Sequence, residues 1–483
     1  MTAKDDVAND SPPDADKRAL PKWRYDLRQS VLPLIRWETP YLAWLQEKLR
    51  TPALDSYFAI TANLGTHTFF MVGLPICFWC GYPALGKGLV HILALGVFWT
   101  GFIKDFYSLP RPLSPPLNRI TMSGSAALEY GFPSTHSANA LSVAVYGILL
   151  LHSPDNSLAP TTKLALEVLA YFYSASIVVG RLYCGMHGFL DVVVGSVLGT
   201  VISLLEFSLG PPLDEYMHTS SWVAPVIAGV VIVILVRIHP EPADDCPCFD
   251  DSVAFAGVVI GLEAGTWTYG RIPNDPWDMH AYGNKTVDVA SLGPAVNVAR
   301  IVLGSLIVFL WRETMKPLLL RTLPTLFRLI EDSGWSLPRR FFTPASEYET
   351  VPPGSRLDTM FPSASDFPRM VESIRNPKTR GRSVSASGVD RFEKQMGQVD
   401  AAQATAETAT PSRQSNEVGV DYGAEGDFDE SAVFSKLIKP RVRYDVEVVT
   451  KLIVYAGIAW LATALIPLTF ELVGLGTNQL ESS

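Results

Sequence analysis

Nine apolar runs, near residues 57–80, 88–103, 137–152, 164–180, 189–208, 222–237, 252–268, 292–311 and 449–472, alternate with short polar loops. Roughly 17 to 25 such residues cross a bilayer as a helix, which pairs every backbone polar group within its own segment. The pattern predicts an all-α integral membrane protein of about eight or nine transmembrane helices. The bulk numbers agree: 48% of the residues are hydrophobic, more than a soluble domain of 483 residues needs to fill its core. A net charge of -9 gives no basic footprint, which argues against nucleic acid as a partner.

Composition divides the chain. Residues 1–50 form a polar, then amphipathic lead whose Lys22, Arg24, Arg28, Arg36, Lys48 and Arg50 would suit a membrane surface. Its first residues lack the apolar centre of a signal peptide, so an internal span is expected to drive insertion. A multi-pass region fills 51–335, with a catalytic core at about 88–208, and a C-terminal membrane helix is expected over 446–475. Between them, 343–440 is rich in Ser, Thr, Pro, Ala and charge, too polar to offset the entropy of ordering, and is expected to be disordered. Within it Arg380-Gly381-Arg382-Ser383 suits a basophilic kinase, although a solvated linker with chance serines is the preferred reading. Five cysteines give no zinc site: Cys77 and Cys80 read as packing residues, and Cys246 and Cys248 stand alone in an acidic loop.

Three polar clusters sit at the ends of consecutive apolar runs, where ionisable groups are expensive without a purpose. Lys104 and Arg111 close the second run. Gly131-Phe132-Pro133-Ser134-Thr135-His136 opens the third, with Ser134 or Thr135 placed to cap a helix whose free N–H groups suit an anion. Arg181, His187 and Asp191 join the fourth and fifth. A helix starting at His187 would put Asp191 on the same face, where its carboxylate can hold the imidazole in one tautomer. The third and fourth runs carry the chain across and back, so all three clusters emerge on one side.

That side then holds three cations, a helix start, two histidines and a carboxylate, which together make a phosphate site with an acid and a nucleophile. Lys104, Arg111, Ser134, Thr135 and Arg181 would bind phosphate, His187 would attack phosphorus, and His136 would protonate the leaving alkoxide. No HxxEH or DxD grouping accompanies them, so the chemistry calls for neither a metal ion nor another cofactor. His67, His91, His152, His218, His239 and His280 have no such company. Glu206, Glu263, Asn297 and Arg300 lie within apolar runs and read as interhelical hydrogen-bonding groups.

These residues resemble the phosphatidic acid phosphatase type 2 superfamily, whose motifs are K-x6-R-P, P-S-G-H and S-R-x5-H-x3-D. The spacing matches at Lys104 to Pro112, at Pro133-Ser134-Thr135-His136, and at Arg181, His187 and Asp191. Thr135 replaces the usual glycine, as in the branch acting on phosphorylated long-chain bases, and Gly180 stands where a serine is usual. The resemblance implies a helical core and metal-independent hydrolysis of sphingosine, dihydrosphingosine or phytosphingosine 1-phosphate in sphingolipid metabolism, through a phosphohistidine on His187. It gives His136 as acid and Asp191 as the partner of His187, and it implies the endoplasmic reticulum membrane with a lumenal site. The charges point to the opposite facing, because the basic lead and the Arg-rich stretch after Trp311 fall on the side of the site. A phosphatase for phosphatidate, diacylglycerol pyrophosphate or a polyprenyl pyrophosphate would use the same residues. A non-catalytic lipid transporter or scaffold fits less well, since transporters place their key charges near the midplane.

Overall fold

The computed structural model describes residues 20–62, 67–114, 116–120, 129–154, 156–244, 246–271, 289–334, 339–351 and 442–475. The helices are α1 (Lys22–Leu49), α2 (Pro52–Thr61), α3 (His67–Trp79), α4 (Pro83–Tyr107), α5 (Thr135–Leu151), α6 (Pro160–Tyr183), α7 (Phe189–Thr219), α8 (Val223–Arg237), α9 (Cys248–Tyr269) and α10 (Val289–Asp332). Strands β1 (Phe342–Thr343) and β2 (Arg443–Tyr444) follow, and α11 (Val446–Trp460) runs through a wider turn at Leu461–Leu465 into α12 (Ile466–Leu472). Among the described residues five segments, α4, α6, α7, Gly293–Asp332 and Val446–Leu472, are long and apolar enough to cross a membrane, while α5 and α8 are apolar but shorter.

Local chemistry sets the helix ends. Pro83 and Pro160 open α4 and α6 at a position where the missing N–H costs nothing. Ser134, not Thr135, caps α5, its Oγ accepting from the Ser137 N–H at 3.3 Å. Helix α4 stops at Ser108, whose left-handed φ of 51° lets its N–H return to the Lys104 carbonyl. The run at 57–80, expected as one span, is two short helices.

Helices α4, α9 and α11 form the buried centre, whereas α6, α7 and α10 turn residues such as Leu164, Phe172, Val193, Val197 and Leu310 outward, as lipid-facing helices do. Close backbone approach fixes the helix that carries His187: a Cβ on Gly195 of α7 would stand 2.4 Å from the Ser134 carbonyl oxygen, and one on Gly199 2.1 Å from that of Ala138. Only glycine allows α7 to lie this close to α5.

Helix α1 departs from the expected surface segment in what its basic face does. Arg24 donates to the carbonyls of Asp105, Phe106 and Glu241, and Arg28 to that of Ser108, so both guanidiniums satisfy the open end of α4 rather than lipid. Farther along, Glu38 accepts from the Leu190 N–H at the start of α7, and Gln46 donates to the carbonyls of Asn118 and Tyr183. The helix thus crosses the ends of α4, α7 and α6, with its polar side inward and Trp23, Trp37, Tyr41 and Trp44 exposed on the other. Exposed tryptophan and tyrosine are the side chains favoured at a membrane interface.

At the opposite end of the bundle lies a second buried polar cluster. Lys87 pairs with Asp214 at 2.8 Å and Glu263 at 3.3 Å, and His91 joins Glu206 at 2.9 Å to Glu263 at 2.8 Å. The sequence reading of Glu206 and Glu263 as interhelical groups matches these contacts, but His91, expected to stand alone, is their bridge. Arg300 likewise bonds between segments, to the carbonyls of Trp79 and Leu475. Lys87 lies 17 residues before Lys104 on α4, about 25 Å at the helical rise.

The first residues of the segment expected to be disordered are structured. Phe342 and Thr343 pair in parallel with Arg443 and Tyr444, and Ala345–Glu347 forms a turn of 3-10 helix, held by Asp445 accepting from the Ala345 N–H. Tyr444 and Val446 bury apolar surface against Leu323 of α10, a long-range gain that local composition does not reveal. Residues 352–441, including Ser383, lie outside the described residues.

Candidate active site

The ends of α4, α5, α6 and α7 meet at one face and bring Lys104, Arg111, Ser134, Thr135, His136, Arg181, His187 and Asp191 to it. His187 sits in the turn before α7 with 1% of its surface exposed. Arg111 Nη1 donates to His187 Nε2 at 3.1 Å, and His187 Nδ1 lies 2.8 Å from the Gly131 carbonyl oxygen. A guanidinium only donates and a carbonyl only accepts, so the two contacts together fix one tautomer, with the proton on Nδ1 and the lone pair on Nε2. Burial first, then the positive charge of Arg111, Lys104 and Arg181, holds the imidazolium well below the usual histidine range. The result is a neutral imidazole whose nucleophilic nitrogen points at a cation.

Asp191 contributes differently from what its spacing suggested. Helix α7 begins at Phe189, and Asp191 Oδ2 accepts from the Gly188 N–H at 2.8 Å, capping the helix. The same oxygen is 3.6 Å from His187 Nδ1, behind the closer Gly131 carbonyl. The carboxylate therefore adds its charge to the proton-bearing side of the ring while a backbone oxygen takes the hydrogen bond. Its own backbone carbonyl accepts from Ser134 N–H at 2.9 Å, locking the start of α7 to the start of α5.

The cations are held by the protein's own acceptors. Arg111 donates to the carbonyls of Glu129 at 2.9 Å and Met186 at 2.6 Å, and Lys104 Nζ lies 2.8 Å from Glu129 Oε2. Burial lowers the Arg111 pKa, which nonetheless remains that of a permanent cation. Arg181 is buried, and its Nε has no hydrogen-bond acceptor among the described residues. A buried guanidinium N–H in that condition can donate to a phosphoryl oxygen. His136 lies in the first turn of α5 and lines a small cavity with Lys104, Glu129, Thr135 and Asp251. Thr135 Oγ1 is 3.0 Å from Thr100 Oγ1. Ser134 is fully buried and already accepts from both the Ser137 amide and hydroxyl, so only its hydroxyl hydrogen is left to offer a phosphate.

Sequence reasoning gave Gly131, Glu129, Asp251 and α1 no part at the site. A carbonyl acceptor such as that of Gly131 leaves no trace in residue type. Glu129 did leave one, a carboxylate set between two cation-bearing motifs. Cys248 also lines the cavity and is bonded to Cys246.

A helical membrane core with an unprotonated, cation-flanked histidine at one interface defines a membrane enzyme of phosphoryl transfer. The sequence pattern of the PAP2 superfamily matches residues 86–213, which hold all eight of these residues. A dihydrosphingosine 1-phosphate phosphatase of Schizosaccharomyces pombe is 36% identical over 326 residues, covering 68% of this chain and 76% of the relative. A second of that description from Saccharomyces cerevisiae is 34% identical over 302 residues, covering 62% and 72%. The sphingosine-1-phosphate phosphatase 2 of Homo sapiens is 26% identical over 275 residues, covering 56% and 67%. No solved structure matches the chain. With these relatives, the chain belongs to the PAP2 superfamily.

Proposed function

We propose that the protein hydrolyses sphingoid long-chain base 1-phosphates to the free base and inorganic phosphate. The observation that carries the reading is His187, buried, neutral and fixed in the Nδ1–H tautomer among Lys104, Arg111 and Arg181. In the first step Nε2 attacks phosphorus, the P–O bond to the lipid breaks, and protonated His136 gives its proton to the departing alkoxide. Gly131 and Asp191 stabilise the positive charge that the ring acquires. In the second step water attacks the phosphohistidine, His136 takes its proton, and His187 leaves as the neutral imidazole. The three cations and the start of α5 hold the phosphoryl oxygens and stabilise the charge that builds on them. A lipid suits a site at the membrane face, since the headgroup reaches the cations while the tail stays in hydrocarbon.

The endoplasmic reticulum, with the site facing the lumen, is the proposed location. That location follows the resemblance to the family; Arg24 and Arg28 donate to backbone carbonyls and keep the charge that argued for the opposite face.

The test is phosphate release in detergent with excess EDTA, from sphinganine 1-phosphate and from phosphatidate, by wild type and His187→Ala. Release from the first lipid that the substitution abolishes supports the reading. Preference for phosphatidate overturns the substrate, and activity that EDTA removes or that survives His187→Ala overturns the mechanism.

A further inference from the structure

A carboxylate is an unexpected lining for a phosphate site. Glu129 Oε2 lies 2.8 Å from Lys104 Nζ and 3.8 Å from Arg111 Nη2, with its side chain 22% exposed toward the cavity that His136 lines. Its backbone carbonyl, held by Arg111 Nε, fixes where the side chain starts. As it stands, the carboxylate competes for the cations that a phosphate dianion needs, and it repels that dianion. A substrate bearing only negative charge would meet this repulsion in full.

A long-chain base 1-phosphate differs from phosphatidate in carrying an ammonium on the carbon adjacent to the one that bears the phosphate. Ordinary bond lengths put that nitrogen roughly 4 to 5 Å from phosphorus, within reach of a group bordering the phosphate site. We propose that Glu129 is the residue that recognises this ammonium, by an exchange of ion pairs. Lys104 and Arg111 turn from Glu129 to the phosphoryl oxygens, and the freed carboxylate takes the substrate's ammonium. Every charge keeps a partner throughout. Phosphatidate, or a base whose nitrogen is acylated, brings no cation, and Glu129 is left facing the phosphate unpaired. One carboxylate thus attracts the amino lipid and rejects the others, which is how specificity is built from affinity differences.

This inference rests on the proposed long-chain-base reading, and the experiment separates the two. The full-length protein and its Glu129→Gln and Glu129→Asp variants, in detergent, would be assayed for kcat/KM on sphinganine 1-phosphate and its N-acetyl derivative. The wild type is expected to favour the free amine by about 10- to 100-fold, the range of one charged hydrogen-bonding partner. Glu129→Gln should bring that ratio toward unity, lowering the amine and raising the amide, and Glu129→Asp should restore part of it. Equal turnover of both lipids by the wild type would overturn ammonium recognition whatever the variants do. An unchanged ratio in Glu129→Gln, with both rates lowered together, would overturn it too and leave Glu129 a positioning residue for Lys104 and Arg111. Absence of wild-type turnover of sphinganine 1-phosphate would instead remove the substrate reading itself, and this inference with it.

Discussion

Replacing Gly195 by alanine adds one methyl group to a helix, leaves every catalytic and phosphate-binding side chain in place, and should nevertheless disable the site. The new Cβ would lie 2.4 Å from the Ser134 carbonyl oxygen and 3.2 and 3.3 Å from the Ser134 carbonyl carbon and nitrogen. These are backbone atoms of the α5 cap and cannot rotate away. Ordinary contact begins at 3.4 Å, so α7 and α5 must part by about 1 Å, a displacement that in an active site reduces turnover about 100-fold. Helix α7 positions His187 and α5 carries His136, so the loss should fall on kcat rather than on membrane insertion. Stability should change less, since overpacking of about 1–3 kcal/mol is partly offset by the better helix propensity of alanine, about 1 kcal/mol. Gly147→Ala in α5, where an added Cβ has nothing within 4 Å, is the matched control and should retain full activity. Phosphate release and thermal unfolding in detergent would be compared for the three proteins. If Gly195→Ala turns over within twofold of wild type (less than about 0.5 kcal/mol), the claim that this helix contact sets the catalytic geometry is wrong.

Two further outcomes follow from the charges. The His187 pKa is depressed in the folded protein by burial and by neighbouring cations, so the unfolded chain binds the proton more readily; its contribution to stability is present above the usual histidine range and lost as pH falls through it toward the depressed value. Thermal midpoints in detergent should drop on acidification through that window, and less steeply in His187→Gln; equal slopes would remove the buried neutral histidine from the account. At the far end of the bundle, Lys87→Met leaves Asp214 and Glu263 without their common cation, which should cost about 3–5 kcal/mol in stability while kcat per folded molecule stays at the wild-type value. A variant as stable as wild type would mean that the cluster is not held by its lysine.

The elements that bear the motifs were legible because they obey local rules. Apolar runs long enough to span, a serine before a helix start, and cations at helix ends are properties of neighbouring residues. The reading faltered where distant segments decide. Two separate helices, one ending at Thr61 and the next starting at His67, stand where hydropathy alone reads one run, and β1 gains its stability from a strand a hundred residues away. Arg24 and Arg28 look like membrane-surface charges until the open end of α4 is placed beside them. At the site, the His187–Asp191 spacing pointed to the right neighbourhood but to the wrong hydrogen bond, because the Gly131 carbonyl arrives from a different loop.

The β1–β2 pair also makes the long segment between its strands a compass for the enzyme. Residues 352–441 leave and re-enter the structure at neighbouring positions, next to the loop from which Arg339 reaches the His239 and Pro240 carbonyls, and they contain no apolar run long enough to cross a bilayer. Arg443 reaches the Cys246 carbonyl, and Cys248 lines the cavity of His136, so the strands that flank the segment are moored on the catalytic face. Whatever compartment receives one receives the other. A glycan acceptor placed near Ser383 would report, without touching the catalytic centre, on which side of the membrane the phosphate is released. By the same logic, a lumenal site would put Ser383 out of reach of every cytosolic kinase.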